Sequence, residues 1–577
     1  MNQNSRCLAL ILYSCLLLGA HDMGAQNFFK WFKKTNKESI EHRLEAEGFF
    51  IEGNKEFNLD NYNKALPLFE KTLTMQPKSA ATNFKIAECL AKLGNTTQAI
   101  SFSKNALALD PHNKYYYVLL AELYESKKLF PEAIEVLERL LKTDNHSNEF
   151  YFDLAALYAY SNKMQEAIDV LDKAENIYGI SEEMTMQKQQ LYLKINKLDK
   201  VIEEGQKLIN AFPSENRYKL ELAEILINNE KIELAASILK SVLDNDNDEP
   251  LARLLLCDLY KAKGDNKRAE EELELAFQNI RLASDDKINM IVDLVNSGAD
   301  EETKTKSLKL ATITAKVHPE DAKAVAVLAD MLLINNKKKE SLNEYLRALK
   351  LNSGVFKIWQ QAITIDAELN LTDSLIKHSA QAIELYPNQA LAWFYNGTGN
   401  LLKKDYTKAV YSLEEAKKLG RDQDLLLGQV NAQLGDAYNG LKNYPKSDAA
   451  YEEVLRKDAD NYHVLNNYSY FLSLRKEKLD YAKQLCQKVI EAYPDEPTYL
   501  DTYGWILYVM KDYDGAKVYL EKAMTKTENG AITEHYGDVL FQMGQKEKAL
   551  EYWKTAKKQG DTSEWIDKKI TDKILYE

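Results

Sequence analysis

The sequence predicts an all-α solenoid of stacked helix pairs, and three observations carry that prediction. A column of mostly small residues recurs every 34 residues for seven turns: Gly53, Ala87, Ala121, Ala155, Gln189, Ala223 and Cys257. A companion column follows twelve residues later, at Ala65, Ala99, Ala133, Ala167, Val201, Ala235 and Ala269. No strand-like alternation of apolar and polar residues persists anywhere in the chain. A period of this length with two small columns is the mark of repeated helix pairs. Small residues suit the place where two helices cross, because larger side chains push the axes apart.

The elements follow in order. Arg6 precedes an apolar run from Cys7 to Ala20, and Ala25 supplies a small residue for cleavage. This reads as a secretory signal over 1–25. The 14-residue run is too short to span a bilayer comfortably. Cys15 offers a second reading, as the site of a lipid. Residues 26–45 interleave Phe28, Phe29, Trp31 and Phe32 with Lys30, Lys33 and Lys34. Such a segment suits peripheral contact with a membrane surface, or it docks as a cap on the first repeat.

Seven regular repeats begin at Ala46, Ala80, Lys114, Asn148, Glu182, Asn216 and Pro250, giving a block over 46–284. The pattern blurs from Arg281 to Thr305. Less regular pairs fill 285–427, where Ala329 with Ser341 and Gly397 with Ala409 keep the twelve-residue offset. Lys418–Gly428 is a second irregular join. The pattern sharpens over 428–560, in Gly435 with Ser447, Ser469 with Ala482, Gly504 with Ala516 and Gly537 with Ala549. Ser469 to Ala482 is one residue longer than the rest, so that inner turn carries an extra residue. The expected total is about fifteen pairs in a right-handed superhelix. Residues 561–577 read as the polar-faced capping helix that a solenoid needs over its last apolar face. Pro77, Pro111, Pro213, Pro319, Pro387 and Pro494 fall between repeats, where a helix must stop.

Composition agrees. A chain of 577 residues exceeds what one compact core sustains, whereas in a solenoid each repeat touches only its neighbours. Tyrosine, at 34 copies against 18 Phe, suits packed surfaces with one wet polar end. The net charge of −13 argues against nucleic acid, which calls for clustered Lys and Arg. Cys89, Cys257 and Cys486 lie on distant repeats, beyond the roughly 7 Å that a disulfide spans between Cα atoms.

The columns make the chain resemble the tetratricopeptide repeat family, over about 46–560. That family has an aromatic near position 4, a small residue at 8, Tyr near 11 and Ala at 20. Tyr124, Tyr158, Tyr192 and Tyr260 stand at position 11, and the last repeat reads Gly537, Ala549, Trp553, Ala556. Gln189 and Val201 depart from the pattern in the fifth repeat. The segments Leu465–Phe471, Tyr499–Trp505 and Glu534–Val539 resemble the closing repeats of exported or envelope-associated bacterial members. The resemblance implies a periplasmic or envelope location in a Gram-negative bacterium.

Signatures of catalysis are absent: there is no Gly-rich phosphate loop, His-Glu-x-x-His, Cys-x-x-Cys or nucleophile elbow. No enzyme, cofactor, metal or small-molecule substrate is expected. Asn467-Tyr468-Ser469 and Asn396-Gly397-Thr398 match glycan acceptors but fall inside predicted helices, not exposed loops. Function then rests on the concave groove, which the family lines through positions 2, 5, 6, 9 and 12 of each first helix. The family's carboxylate clamp is not matched. The first three repeats offer Phe50, Asn54, Lys85, Tyr115 and Leu119 at its positions, and the last three offer Asn466, Tyr470, Thr502, Ala531 and His535.

The last three repeats instead direct His463, Asn466, Asn467, Tyr470, Asp501, Thr502, Trp505, Tyr508, Glu534, His535, Asp538 and Phe541 toward the groove. Aromatics with Asn and acids suit a protein or peptide partner bearing some positive charge. Tyr470, Trp505 and Asp538 form a line at position 9 that one ligand could touch, with Asp538 as a rim charge. Alternatively, Tyr470, Trp505 and Tyr508 only pack against neighbouring helices. The sequence thus predicts a non-catalytic protein-binding scaffold of the cell envelope. The alternative is an outer-membrane-attached adaptor of a transport, secretion or envelope-assembly machine.

Overall fold

The computed structural model describes residues 22–143, 147–298 and 300–576. The apolar run and Cys15 lie outside the described residues, as do the side chains of Phe28, Phe29, Trp31 and Phe32. The described chain holds thirty-one α-helices and one short 3₁₀ turn, and none of the described elements is a strand. In sequence order these form fifteen helix pairs and a terminal helix, Ile566–Asp572. The chain is all-α and a solenoid, as predicted. It divides into two compact units, one ending at Asp265 and the other beginning at Asn266. Within each unit, the two helices of a pair pack together, and second helices pack on the first helix of the following pair. No described helix is long and apolar enough to cross a membrane.

The first helix is continuous from Asp22 to Asn58, so the aromatic and basic segment runs without a break into the first repeat. The blurred stretch near Arg281–Thr305 is also helical, as Ser284–Ser297 and Glu301–Val317. At the second join, the helix Asp424–Gly440 has 17 residues where most first helices have 13. The surplus forms an added turn at its start, which leaves Leu425 at 91% exposure.

The small columns have a physical cause in the side chain sixteen residues on. A Cβ added at Gly53 would stand 2.8 Å from Phe69, one at Gly397 2.6 Å from Leu413, and one at Gly537 2.7 Å from Trp553. The second helix thus lays a large side chain over the bare backbone of the first. The fifth repeat inverts the arrangement. Gln189 supplies the bulk and Gly205, sixteen residues on, supplies the space, since a Cβ there would meet the Gln189 amide at 2.9 Å. That amide donates to the Val201 carbonyl at 3.1 Å. The departure seen in the sequence is therefore an exchange of bulk across one helix pair.

Inner turns are equally periodic. Asp60, Gly94, Lys128, Asn162, Asn196, Glu230 and Gly264 all adopt positive φ, 34 residues apart. Each ends a helix in the left-handed conformation that releases the chain into the second helix. The turn with the extra residue has two such positions, Lys476 and Lys478. Outer turns are fixed by position-4 aromatics: Tyr117, Trp359 and Trp393 donate to the carbonyls of Pro111, Ser353 and Pro387, six residues back. Cys89, Cys257 and Cys486 are buried.

Candidate functional site

The last three first helices are Tyr462–Arg475, Pro497–Val509 and Gly530–Gln542. Their predicted groove residues fall into two groups. His463 is exposed, and Asn467, Tyr470, Asp501, Trp505, His535 and Phe541 are half-buried. Asn466, Thr502, Tyr508, Glu534 and Asp538 are buried, so these five are not available on an open face. The expected line of Tyr470, Trp505 and Asp538 therefore stops at Trp505. Asp538 is not a rim charge. It is 2% exposed, and its carboxylate accepts the Trp553 indole N–H at 2.8 Å.

Bonds between successive repeats consume much of the polar lining. Asn467 donates to Asp436 at 3.2 Å, and Tyr451 donates to the same carboxylate at 2.6 Å. His535 Nδ1 lies 2.8 Å from Asp501. The terminal helix completes the series. Lys569 Nζ donates to Asp538 at 2.6 and 2.8 Å and to Glu534 at 2.9 Å, and the Ser563 amide donates to Glu534 at 2.7 Å. One buried ammonium thus serves two buried carboxylates.

Protonation follows from that arrangement. Burial pushes the Asp538 carboxyl up to about 6, against the pull of Lys569. Burial raises Glu534 too, but Ser563 and Lys569 outweigh it and hold Glu534 below the usual range. Burial disfavours charge on His535, yet Asp501 prevails and keeps it above its ordinary value. The imidazole lies against the Trp505 ring, 4.3 Å between centroids.

Trp505 is the centre of what remains open. Its ring stacks on Tyr508 at 4.9 Å and lies tilted against His535 at 4.3 Å between centroids. The indole Nε1 is sheltered and has no hydrogen-bond partner among the described residues. Tyr470 and Phe541 extend the half-buried aromatic surface. An arrangement of this kind can hold an apolar side chain of a partner. It supplies no nucleophile.

Lys569, Ser563 and Asp436 were not singled out from the sequence, and Trp553 was read only as a repeat residue. A signal for Trp553 and Asp436 exists: Asp330 with Tyr345, Asp436 with Tyr451 and Asp538 with Trp553 are each fifteen residues apart. In each pair the aromatic donates to the acid.

Family comparisons agree with these repeats. Tetratricopeptide repeat models match residues 118–179 and 226–279. The model for subunit 3 of the anaphase-promoting complex, or cyclosome, matches residues 58–138. The matched stretches carry tetratricopeptide repeats. A TPR repeat-containing protein of Pseudomonas aeruginosa is 27% identical over 184 residues, a match spanning 30% of each chain. Among solved structures, yeast Tom70 is 14% identical with a TM-score of 0.30, covering 92% of this chain and 94% of that one. The Naa15/Naa10 complex bound to HypK-THB gives 14% and 0.36, covering 95% and 96%. Cut9–Hcn1 of the APC/C gives 12% and 0.36, covering 87% and 98%.

Proposed function

We propose that this protein is a non-catalytic scaffold of a bacterial cell envelope that binds a partner protein along the concave face of its last repeats. The observation that carries the reading is Trp505, half-buried and packed against the rings of Tyr508 and His535. An aromatic already packed against two neighbouring rings loses little freedom on binding, which suits an anchor for a partner side chain. Because Asp538 and Glu534 are taken by Lys569, the partner is recognised here by apolar contact more than by charge.

The address remains the one read from Arg6, the apolar run and Ala25. N-terminal sequencing of the mature protein is expected to begin at Gln26, give or take a few residues. An intact Met1 on cytosolic protein would overturn export, and a lipid on Cys15 would favour the membrane-attached adaptor.

Affinity capture from native envelope tests the groove. Trp505→Ala is expected to reduce partner affinity by roughly 2 kcal/mol or more, with helix content nearly unchanged. Loss of melting temperature with intact partner capture would assign Trp505 to packing alone.

A further inference from the structure

A second concave surface lies in the first unit and owes nothing to the groove just described. Between the first helices Tyr151–Tyr160 and Glu182–Lys194 there is an open hollow of about 290 Å³. Phe152, Ala156 and Ala159 form one wall, Gln187 and Gln190 the other, and Leu171 the floor. The hollow exists because positions 9 and 12 of the fourth repeat are alanines, where the third repeat has Glu122 and Glu125. Lys194 stands at one edge.

Acids flank the hollow on both sides at positions 6 and 9 of the first helices. Upstream are Glu88, Glu122 and Asp153, and downstream Glu221 and Glu224. Glu88 pairs with Lys85 at 2.8 Å, and Glu221 has Arg217 at 3.8 Å. Glu122, Asp153 and Glu224 carry no ion pair among the described residues. Glu122 and Asp153 are open to solvent, yet the concave wall thins the water around them and lifts both above the usual carboxylate range. Glu125, Asp153 and Glu88 add like-charge repulsion at Glu122. A cationic chain relieves that repulsion, and an acidic one adds to it.

We propose that this hollow docks a segment of a partner protein that seats one bulky apolar side chain over Leu171. In this arrangement, Lys or Arg residues flanking that side chain lie against Glu122 and Asp153 on one side and Glu221 and Glu224 on the other. The alanine wall sets the size of the seated side chain, and the flanking acids set the charge of the segment. The apolar seat and the acids recognise different parts of one ligand, so each can be removed separately.

Fluorescence anisotropy with the full chain and a dye-labelled peptide Lys-Arg-Ala-Phe-Ala-Arg-Lys tests this. The peptide is expected to bind, and replacing its Phe by Ala to weaken binding about tenfold. Ala156→Trp fills the hollow and is expected to do the same. Ala156→Met takes its place if the tryptophan variant loses helix content. Joint Glu122→Gln and Asp153→Asn is expected to weaken binding about threefold or more and to flatten its salt dependence. Trp505→Ala is expected to leave this peptide's affinity unchanged, which separates the site from the groove of the last repeats. The proposal is overturned if the basic peptide does not bind. It is also overturned if Glu-Asp-Ala-Phe-Ala-Asp-Glu binds as well, or if filling the hollow changes nothing.

Discussion

Lys188 in the fifth repeat and Lys287 in the eighth are both 0% exposed, and they are opposite solutions to one problem. Lys188 meets Asp172 at 2.7 Å, Glu175 at 3.1 Å and Glu204 at 2.7 Å. Burial alone would lower it, but three carboxylates reverse that and hold it well above the ordinary lysine range. Lys287 donates to the Asn279 carbonyl at 2.8 Å and lies 2.8 Å from His318 Nε2. Burial pulls it down to about 8. His318 is lowered by its own burial and then by Lys287. The same side chain, equally hidden, thus ties two repeats together in one place and loads the fold in the other. Partner charge decides between those outcomes.

The comparison breaks most visibly at Lys188. Lys188→Met strands three carboxylates from two repeats and is expected to cost about 3–5 kcal/mol. Urea denaturation reads it directly, and an effect below about 1 kcal/mol would mean that the cluster rearranges around water. Lys287→Met is expected to act in the opposite direction, stabilising at pH 7 by about 1–3 kcal/mol. The sign follows from linkage. Folding favours neutral Lys287, so its contribution is fully present above the unfolded value near 10.5 and is lost as pH falls to about 8. The gap between variant and wild type should therefore open from pH 10.5 down to 8 and stay constant below. Limited proteolysis is expected to cut near Arg281–Thr305 before it cuts inside 46–270, and Lys287→Met should delay that cut.

His535 gives a smaller effect of known sign. Its folded value is raised, so the stability it adds is complete below about 6.5 and fades as pH rises through the folded value. Hydrogen exchange in Gly530–Gln542, corrected for intrinsic rate, should quicken from pH 6 to 8 in wild type and change less in His535→Gln. The smallest effect calibrates the others. Lys404 is exposed in an inner turn with φ of 62°. Lys404→Gly removes only backbone strain and is expected to raise stability by up to about 1 kcal/mol.

The helix pairs were legible in the sequence because a solenoid repeats its contacts, so column positions such as Gly53 and Ala65 announce themselves. The extra residue before Ala482 was legible for the same reason. The state of the groove was not. Glu534 and Asp538 sit at groove positions by number, but the terminal helix brings Lys569 onto them from 31 and 35 residues away. A contact made once, at the end of the stack, leaves no period to read. Lys188 escaped notice for a related reason: its column carries Leu120, Leu154, Leu222 and Leu256 in neighbouring repeats, so the lysine occurs once and has no period.

The exchange of bulk between Gln189 and Gly205 constrains how this repeat could have arisen from its neighbours or return to their pattern. Restoring alanine at 189 first would open a void and lose the bond to the Val201 carbonyl. Restoring leucine at 205 first would drive a side chain into the Gln189 amide and Leu222. Either order passes through an ancestor less stable than both ends. Related sequences should therefore show the two positions changing as a couple, and rarely one alone.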